Sequence, residues 1–204
     1  MQPINHGKGE RRKFSPSRNS AASAQPPLIN QRELLLVALQ RHLSNVGEGG
    51  QCGLIIIDIR DFRLLNRSFG TQLADNVLAM IAARLNGLDK SLFEHYYLGN
   101  DEFGIILPKL ARAGVALLLA EQLLQLFKDV FVLDEHTLKI TVNAGISLSD
   151  TEVGEQKKMT NATALAQLYD AEEALLLAKE HNQPYRLFVE NRVKSQPLQW
   201  QLLN

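Results

Sequence analysis

The sequence has a single cysteine, Cys52, among 204 residues, so an internal disulfide is excluded. A lone thiol fits a reducing compartment, and its place beside an apolar run predicts a small buried strand residue. The five histidines never fall four residues apart, which argues against a helical zinc site. No apolar run approaches the roughly 20 residues of a membrane span, and the N-terminus lacks the apolar core of a signal peptide. These absences predict a soluble, cytoplasmic chain.

The chain also has no excess of either charge, with 22 basic and 22 acidic residues. The charges are unevenly placed, because residues 1–26 hold five basic residues against one acidic residue. The remaining chain has 17 basic and 21 acidic residues and therefore a net charge of −4. Faces that bind DNA or RNA are basic, so no nucleic-acid partner is expected. An acidic body can still hold a nucleotide if metal ions intervene.

Composition divides the chain into three parts. Residues 1–27 are polar, cationic and rich in Ser, Pro and Gly, which predicts a disordered lead or linker. Residues 28–190 are long enough for one domain with a good core. Residues 191–204 follow this domain.

Apolar periodicity predicts the secondary structure of the domain. Asn30 is a plausible N-cap for the first helix, and Gly145 indicates a bulge or close packing in a late strand. The other predictions are a buried strand near 53–59, a helix over 71–85, a hairpin with strands near 94–98 and 102–107 closed off by Pro108, a helix over 111–130, a strand over 138–149, a helix over 163–181 and a strand over 185–190. This order predicts an α/β sandwich around a mixed sheet.

Carboxylates lie at the end of the first predicted strand and on the predicted hairpin. Asp58 ends the first buried strand, where open α/β sheets usually place ligand groups. Asp101 and Glu102 lie on the hairpin, and for these two alone a solvated turn is the alternative interpretation. If the hairpin strand lies beside the first strand, three carboxylates gather at one edge. They would raise each other's pKa unless a hard cation such as Mg²⁺ joined them, and Mg²⁺ prefers to share its shell with substrate phosphates.

Five blocks of the sequence, in order, resemble the GGDEF domains, or diguanylate cyclases. "LIIIDIRDFRLLNRSFG" resembles that family's first strand and nucleotide loop, and it keeps the family pattern D-x-x-x-F-x-x-x-N-x-x-x-G as Asp58, Phe62, Asn66 and Gly70. "GNDEF" aligns with the signature, and Asp75, "NAGIS" and "AEEALLLAKEHNQ" match further positions. The resemblance implies a palm-like nucleotidyl-cyclase fold, with a central mixed sheet flanked by helices and a hairpin that carries the signature.

The resemblance also implies a metal site. Asp58 and Asp101 would hold Mg²⁺ or Mn²⁺ with help from the backbone carbonyl of Ile59. Glu102 would be a further metal ligand or would help to activate the attacking hydroxyl. In active family members two domains meet face to face as a homodimer, each holding one GTP, and make cyclic di-GMP.

The same resemblance implies a GTP site. Asn66 and Asp75 would read the guanine, since an amide and a carboxylate can together accept and donate along its polar edge. Phe62 would pack under the loop "RDFRLLN", whose backbone N–H groups could face the phosphates. Lys179 would contact phosphate as a point charge. Gly99, the first residue of the signature, would lie beside the triphosphate.

The chain departs from the family pattern at the signature itself, where the second glycine is Asn100. Asparagine tolerates a positive φ, so the turn should survive, but its side chain would press on the triphosphate. Gln183 replaces an arginine that clamps phosphate. Lys90 and Phe93 replace the two charged positions of the R-x-x-D inhibitory site, which is therefore expected to be absent.

These departures lead to three hypotheses. The first is a degenerate, catalytically impaired cyclase domain that binds GTP with Mg²⁺ and regulates a neighbouring domain. The resemblance implies that this neighbour is a phosphodiesterase of the EAL type, and that residues 191–204 are a C-terminal linker leading into it. The alternatives are a working diguanylate cyclase, with Asn100 swung aside, and a protein-interaction module that binds no nucleotide.

Overall fold

The computed structural model describes residues 30–47, 50–133, 136–149 and 161–189. The expectations for residues 1–27 and 191–204 lie outside these ranges. The helices in the described residues are α1 (Arg32–Asn45), α2 (Phe62–Phe69), α3 (Thr71–Asn86), α4 (Ala113–Gln125) and α5 (Asn161–Glu180). The strands in the same ranges are β1 (Gln51–Ile59), β2 (Glu94–Gly99), β3 (Glu102–Leu110), β4 (Phe131–Leu133), β5 (His136–Leu138), β6 (Val142–Leu148) and β7 (Tyr185–Leu187).

The main sheet is mixed, as the sequence predicts, and has the strand order β2-β3-β1-β6-β7. β1 lies at the centre and pairs antiparallel with both β3 and β6, while β7 pairs parallel with β6. The hairpin strand therefore lies beside the first strand, which is the condition for the carboxylates to gather at one edge of the sheet. In this register Asp58 stands opposite Glu102 on one side and Asn143 on the other.

Hydrophobic side chains cover both faces of the sheet. Ile55 and Ile57 of β1 pack into a core with α3 and α4, whereas Leu54 and Ile56 point to the other face, against α1 and α5. This explains the continuous apolar run, because a central strand covered on both faces has no polar side. Cys52 is fully buried, as predicted, and burial together with the nearby charge of Glu94 raises the pKa of its thiol to about 12.

Gly145 in β6 marks a close approach of strand and helix. A Cβ built on it would lie 2.0 Å from the carbonyl oxygen of Ala171 and 2.3 Å from the backbone nitrogen of Leu175. The pairing of β6 with β1 runs through Gly145 without a register shift, so close packing, rather than a bulge, is the correct interpretation. The backbone of α5 therefore rests directly on the central sheet.

Two expected boundaries are wrong. Helix α1 begins at Arg32 with Gln31 at the N-cap position, and Asn30 instead accepts a hydrogen bond from the Arg32 N–H (2.9 Å). Pro108 does not end β3, which continues to Leu110. The pairing of β1 with β3 shifts in register opposite Pro108, so the missing N–H falls at an irregular point of the ladder.

Two elements were not expected. The segment that the sequence indicates as a nucleotide loop contains the eight-residue helix α2, which ends at Phe69 and is followed by Gly70 at the C-cap, where a φ of +84° suits glycine. β4 and β5 form a separate small hairpin, and its three-residue strands are too short to show periodicity. Helix α4 also stops at Gln125, short of the predicted range.

The carboxylate of Glu94 joins α1 to β2. It accepts hydrogen bonds from Arg41 (3.0 and 3.1 Å) and from the Tyr96 hydroxyl, and it lies 2.6 Å from Nε2 of His42. Burial acts to raise the pKa of Glu94, but these contacts outweigh it and hold the pKa below its ordinary value of 4.5.

Acid should loosen this connection. Because the folded-state pKa of Glu94 is depressed, its stabilisation is present above pH 4.5 and is lost as the pH falls through the folded-state value. We expect Glu94→Gln to lower the free energy of unfolding at pH 7 by about 1 kcal/mol and to flatten its fall in acid. Urea unfolding at a series of pH values measures both effects. Glu33→Gln on the same helix is the control and should keep the wild-type acid dependence.

Candidate functional site

A cavity of about 920 Å³ opens at the carboxyl end of β1. Its wall is built from the β1 end, α2, the first turns of α3, the hairpin tip, β6 and the last turn of α5. The lining residues are Asp58, Ile59, Arg60, Asp61, Phe62, Arg63, Asn66, Asp75, Leu78, Tyr97, Asn100, Asp101, Asn143 and Lys179. The fold thus brings together most of the site residues that the sequence predicts.

The carboxylates meet where β1 ends and β3 begins. The Ile59 N–H donates to the backbone carbonyl of Asp101 (3.1 Å), which ties the two chain segments together. The side chain of Asp58 is nearly buried, and Nζ of Lys179 lies 2.6 Å from its Oδ2. Burial, followed by the charge of Asp58, raises the pKa of Asp101 and also that of Glu102.

The three predicted carboxylates do not share one cluster of side chains. Asp58 and Asp101 line the cavity, whereas Glu102 stands outside its lining although it pairs with Asp58 across the strands. Among the described residues, no group of three or more His, Cys, Asp or Glu side chains is placed to hold a metal ion. Two carboxylates and the carbonyl of Ile59 are nevertheless hard oxygen donors that suit Mg²⁺, which takes the rest of its shell from water and phosphate.

The hairpin tip keeps its turn despite the changed signature. Gly99 has a φ of +101° and Asn100 a φ of +53°, so asparagine adopts the left-handed conformation that the sequence argument expects of it. The Tyr97 hydroxyl donates to the backbone carbonyl of Asn100 (3.0 Å) and fixes the tip. Asn100 is exposed and lines the cavity, whereas Gly99 stays outside the lining and packs against Asn30.

Gln31 holds the hairpin from the outer edge of the sheet. Its backbone N–H donates to the Tyr97 carbonyl (2.6 Å), and its side-chain oxygen accepts from the Tyr97 N–H (3.1 Å). β2 is the edge strand of the sheet, so these bonds satisfy outward-facing groups that β3 cannot reach. The segment that leads into α1 is therefore tied to the signature hairpin.

The residues assigned to the nucleotide lie on two consecutive helices. Phe62 opens α2 and packs against the core, and Asn66 follows one turn later. Asp75 lies near the start of α3 and is exposed. Both Asn66 and Asp75 line the cavity. Phosphate-facing N–H groups would therefore belong to the first turn of a helix, which begins after the left-handed Asp61.

Several residues that line the cavity were not predicted from the sequence. Asn143 is a buried polar residue in an apolar strand, a signal that could have been noticed, and its amide donates to the Gln183 carbonyl (2.6 Å). Tyr97 gave no signal, because tertiary contacts alone bring it to the wall. Arg60 opens the loop "RDFRLLN", but its side chain was not singled out there. The Gln183 side chain is exposed and lies outside the lining.

Lys90 and Phe93 line a separate cavity of about 330 Å³ beside β2, together with Glu94 and His95. Burial and the charge of Lys90 lower the pKa of His95.

None of the helices in the described ranges combines the length and the apolarity needed to cross a membrane.

Comparison with known proteins identifies the family. Residues 28–181 match the family model described as Diguanylate cyclase, GGDEF domain. The signaling protein YkoW of Bacillus subtilis is 28% identical over 175 residues, which are 85% of this chain and 19% of YkoW. The diguanylate cyclase TpbB of Pseudomonas aeruginosa is 28% identical over 141 residues, or 69% of this chain and 31% of TpbB. The chain thus spans less than a third of each of these relatives.

The solved structures agree with this result. The crystal structure of the GGDEF domain of TpbB from Pseudomonas aeruginosa superposes with a TM-score of 0.69 and 29% identity, covering 80% of this chain and 98% of that domain. An EAL/GGDEF domain protein from M. capsulatus has the same fold, with a TM-score of 0.61 and 23% identity over 78% of this chain and 98% of that one. With the family model covering most of the sequence, the chain belongs to the GGDEF domain family of diguanylate cyclases.

Proposed function

We propose that this domain binds GTP with Mg²⁺, that its cyclase activity is impaired, and that it serves cyclic di-GMP signalling as a regulatory domain beside an EAL-type phosphodiesterase domain. The observation that carries the proposal is the single cavity that joins Asp58 and Asp101 to Asn66, Asp75 and Lys179. One wall offers oxygen ligands for a metal ion, and the other offers polar groups for a base. A purine nucleoside triphosphate needs both at once.

Base selection would rest on α2 and α3. The Asn66 amide can donate to and accept from the guanine edge, and the Asp75 carboxylate can accept from its N–H groups. Adenine presents a different pattern of donors and acceptors and would leave these groups unpaired. A site built to hydrogen-bond its substrate rejects an analogue that lacks the bonds, because its own polar groups then lose their partners.

Phosphate binding would rest on the carboxylates and the lysine of the same lining. Asp58, Asp101 and the Ile59 carbonyl would hold Mg²⁺, which neutralises phosphate charge when it is bound. Burial and the charge of Asp58 raise the pKa of Asp101, the direction expected of carboxylates crowded together without a cation. Lys179 contributes a positive charge on the same wall.

The impairment is assigned to Asn100. It lies at the hairpin tip in a left-handed conformation, and it lines the cavity where glycine would leave the backbone open. Any side chain here narrows the approach to the phosphates. Transfer chemistry is sensitive to such crowding, since a displacement near 1 Å can cost on the order of 100-fold in rate.

Calorimetric titration tests the proposal. We expect heat on adding GTP with Mg²⁺, much weaker binding when EDTA removes the metal, and weaker binding of ATP. Absence of heat at millimolar GTP would favour a protein-interaction module without nucleotide. Chromatography of a reaction with GTP and Mg²⁺ tests the second half, because a clear peak of cyclic di-GMP would show a working cyclase instead.

Asn100→Gly should tighten GTP binding by about tenfold, because it removes the obstructing side chain while glycine keeps the positive φ. The control is Asn100→Asp, which also tolerates this φ but keeps a side chain of similar size and adds negative charge. It should bind GTP no more tightly than the wild type. Equal affinities for the wild type and the glycine variant, measured by calorimetry, would remove the steric explanation.

A further inference from the structure

Three cationic side chains line the cavity, and they differ in the groups that their charged ends contact. Arg60, Arg63 and Lys179 face the carboxylates of Asp58, Asp61, Asp75 and Asp101 across the same space. The lining therefore carries one more negative than positive charge. A polyphosphate adds several further negative charges, so the cation with the least neutralised charge matters most for binding.

Arg60 is the one of the three whose guanidinium is both free of a carboxylate partner in the described residues and held in place by a hydrogen bond. Lys179 is paired with Asp58 at 2.6 Å. Arg63 makes no ion pair with a carboxylate among the described residues, and no side-chain hydrogen bond there fixes its guanidinium. Arg60, by contrast, donates from its guanidinium to a neutral group, Oδ1 of Asn182 (2.8 Å). Within the part of the chain that the structure describes, its guanidinium makes no ion pair with a carboxylate.

Hydrogen bonds fix both the backbone and the side chain of Arg60. Its backbone N–H donates to the Thr141 carbonyl (2.8 Å), just before β6. Asn182, which holds the guanidinium, has a φ of +52° and donates its own N–H to the Lys179 carbonyl (3.2 Å). The turn that ends α5 thus places both the lysine and the partner of the arginine. Such preorganisation reduces the entropy lost when an anion binds.

The chemistry of the side chain matches a phosphate. A guanidinium has five N–H donors in a planar fork, so one bond to Asn182 leaves others for a second acceptor. Arginine commonly binds phosphate through two parallel bonds, which fix orientation as well as adding charge. Arg60 is exposed on the cavity wall, so an incoming ligand can reach it. The neighbouring Gln183 offers no charge.

We propose that Arg60 positions the polyphosphate of the bound guanine nucleotide, with Asn182 holding its guanidinium at the cavity wall. This inference rests on the proposed function. It assigns the anion contact to the residue two positions after the metal-binding Asp58, on the loop between β1 and α2. It also makes Asn182 a positioning residue, which acts on the nucleotide only through Arg60.

Calorimetric titration of Arg60→Gln with GTP and with GMP, both with Mg²⁺, tests the assignment. We expect GTP to bind at least about tenfold more weakly and GMP less than threefold more weakly, because the lost contact belongs to the polyphosphate. Arg60→Lys should recover part of the loss, since it restores the charge without the fork. Asn182→Gly, which keeps the positive φ, should weaken GTP binding by a smaller factor and leave GMP unchanged.

Arg67→Gln is the matched control, because Arg67 lies exposed in the last turn of α2 outside the cavity lining. It should leave both affinities unchanged. The assignment is overturned if Arg60→Gln binds GTP as tightly as the wild type, or if it loses GTP and GMP by the same factor. A wild-type protein that binds neither nucleotide would overturn the proposed function as well, and the wild-type titration separates that outcome from the others.

Discussion

Replacing Gly145 with alanine should lower the free energy of unfolding by about 3 kcal/mol, the upper part of the range for overpacked cores. The added methyl group would lie 2.0 Å from the Ala171 carbonyl oxygen and 2.3 Å from the Leu175 backbone nitrogen. A side chain can rotate away from such contacts, but the backbone of a helix cannot. Helix α5 would have to move off the sheet as a body.

Chemical denaturation of the wild type and the variant measures this effect. The control is Gly114→Ala in α4, where a Cβ would meet nothing within 4 Å. Alanine suits a helix better than glycine, so this variant should be unchanged or more stable by up to about 1 kcal/mol. Equal stabilities of the two variants would contradict the close-packing account. Because α5 carries Lys179, the Gly145 variant should also bind nucleotide more weakly.

Asp58→Asn should weaken Mg²⁺-dependent GTP binding by roughly 100-fold. Loss of a group that merely supports a metal ligand typically costs 10- to 100-fold in affinity, so loss of a direct ligand, as we propose Asp58 to be, should cost at least as much. The substitution keeps the shape of the side chain and removes its charge. It also leaves Lys179 without the carboxylate that lies 2.6 Å from its Nζ.

Titration of GTP at fixed Mg²⁺, repeated with EDTA, separates the metal effect from others. The variant with Mg²⁺ should behave like the wild type with EDTA. Asp61→Asn provides the control, because Asp61 lines the same cavity, is not a proposed ligand and has a φ of +56° that asparagine also accepts. Its affinity should stay within about threefold of the wild type, as expected for a residue without a ligand role. An equal loss in both variants would point to the general charge of the cavity instead.

The central sheet could be read from the sequence because β1 is apolar on both faces, a pattern few other elements produce. Helix α2 could not, since eight residues give barely two turns of periodicity and its ends depend on Asp61 and Gly70. The continuation of β3 past Pro108 depends on a register shift in its partner. A rule that considers one strand at a time cannot detect that shift.

The same contrast holds for the cavity. The sequence predicts Asp58, Asp101, Asn66 and Asp75 because their spacing follows a known family pattern. The fold brings these four residues together at one cavity. Arg60 opens the loop that the resemblance placed near the phosphates, but residues more than 80 positions away in sequence hold it at the wall, so the local pattern does not predict the role of its side chain.

The bonds between Gln31 and Tyr97 have a consequence for self-association. An uncovered edge strand offers a template on which a second chain can extend the sheet, a common route to aggregation. Here Gln31 occupies both outward-facing groups of Tyr97, so that half of β2 cannot accept another strand unless two hydrogen bonds break first. Two copies of this domain therefore cannot form one continuous sheet through the signature end of β2 while these two hydrogen bonds persist.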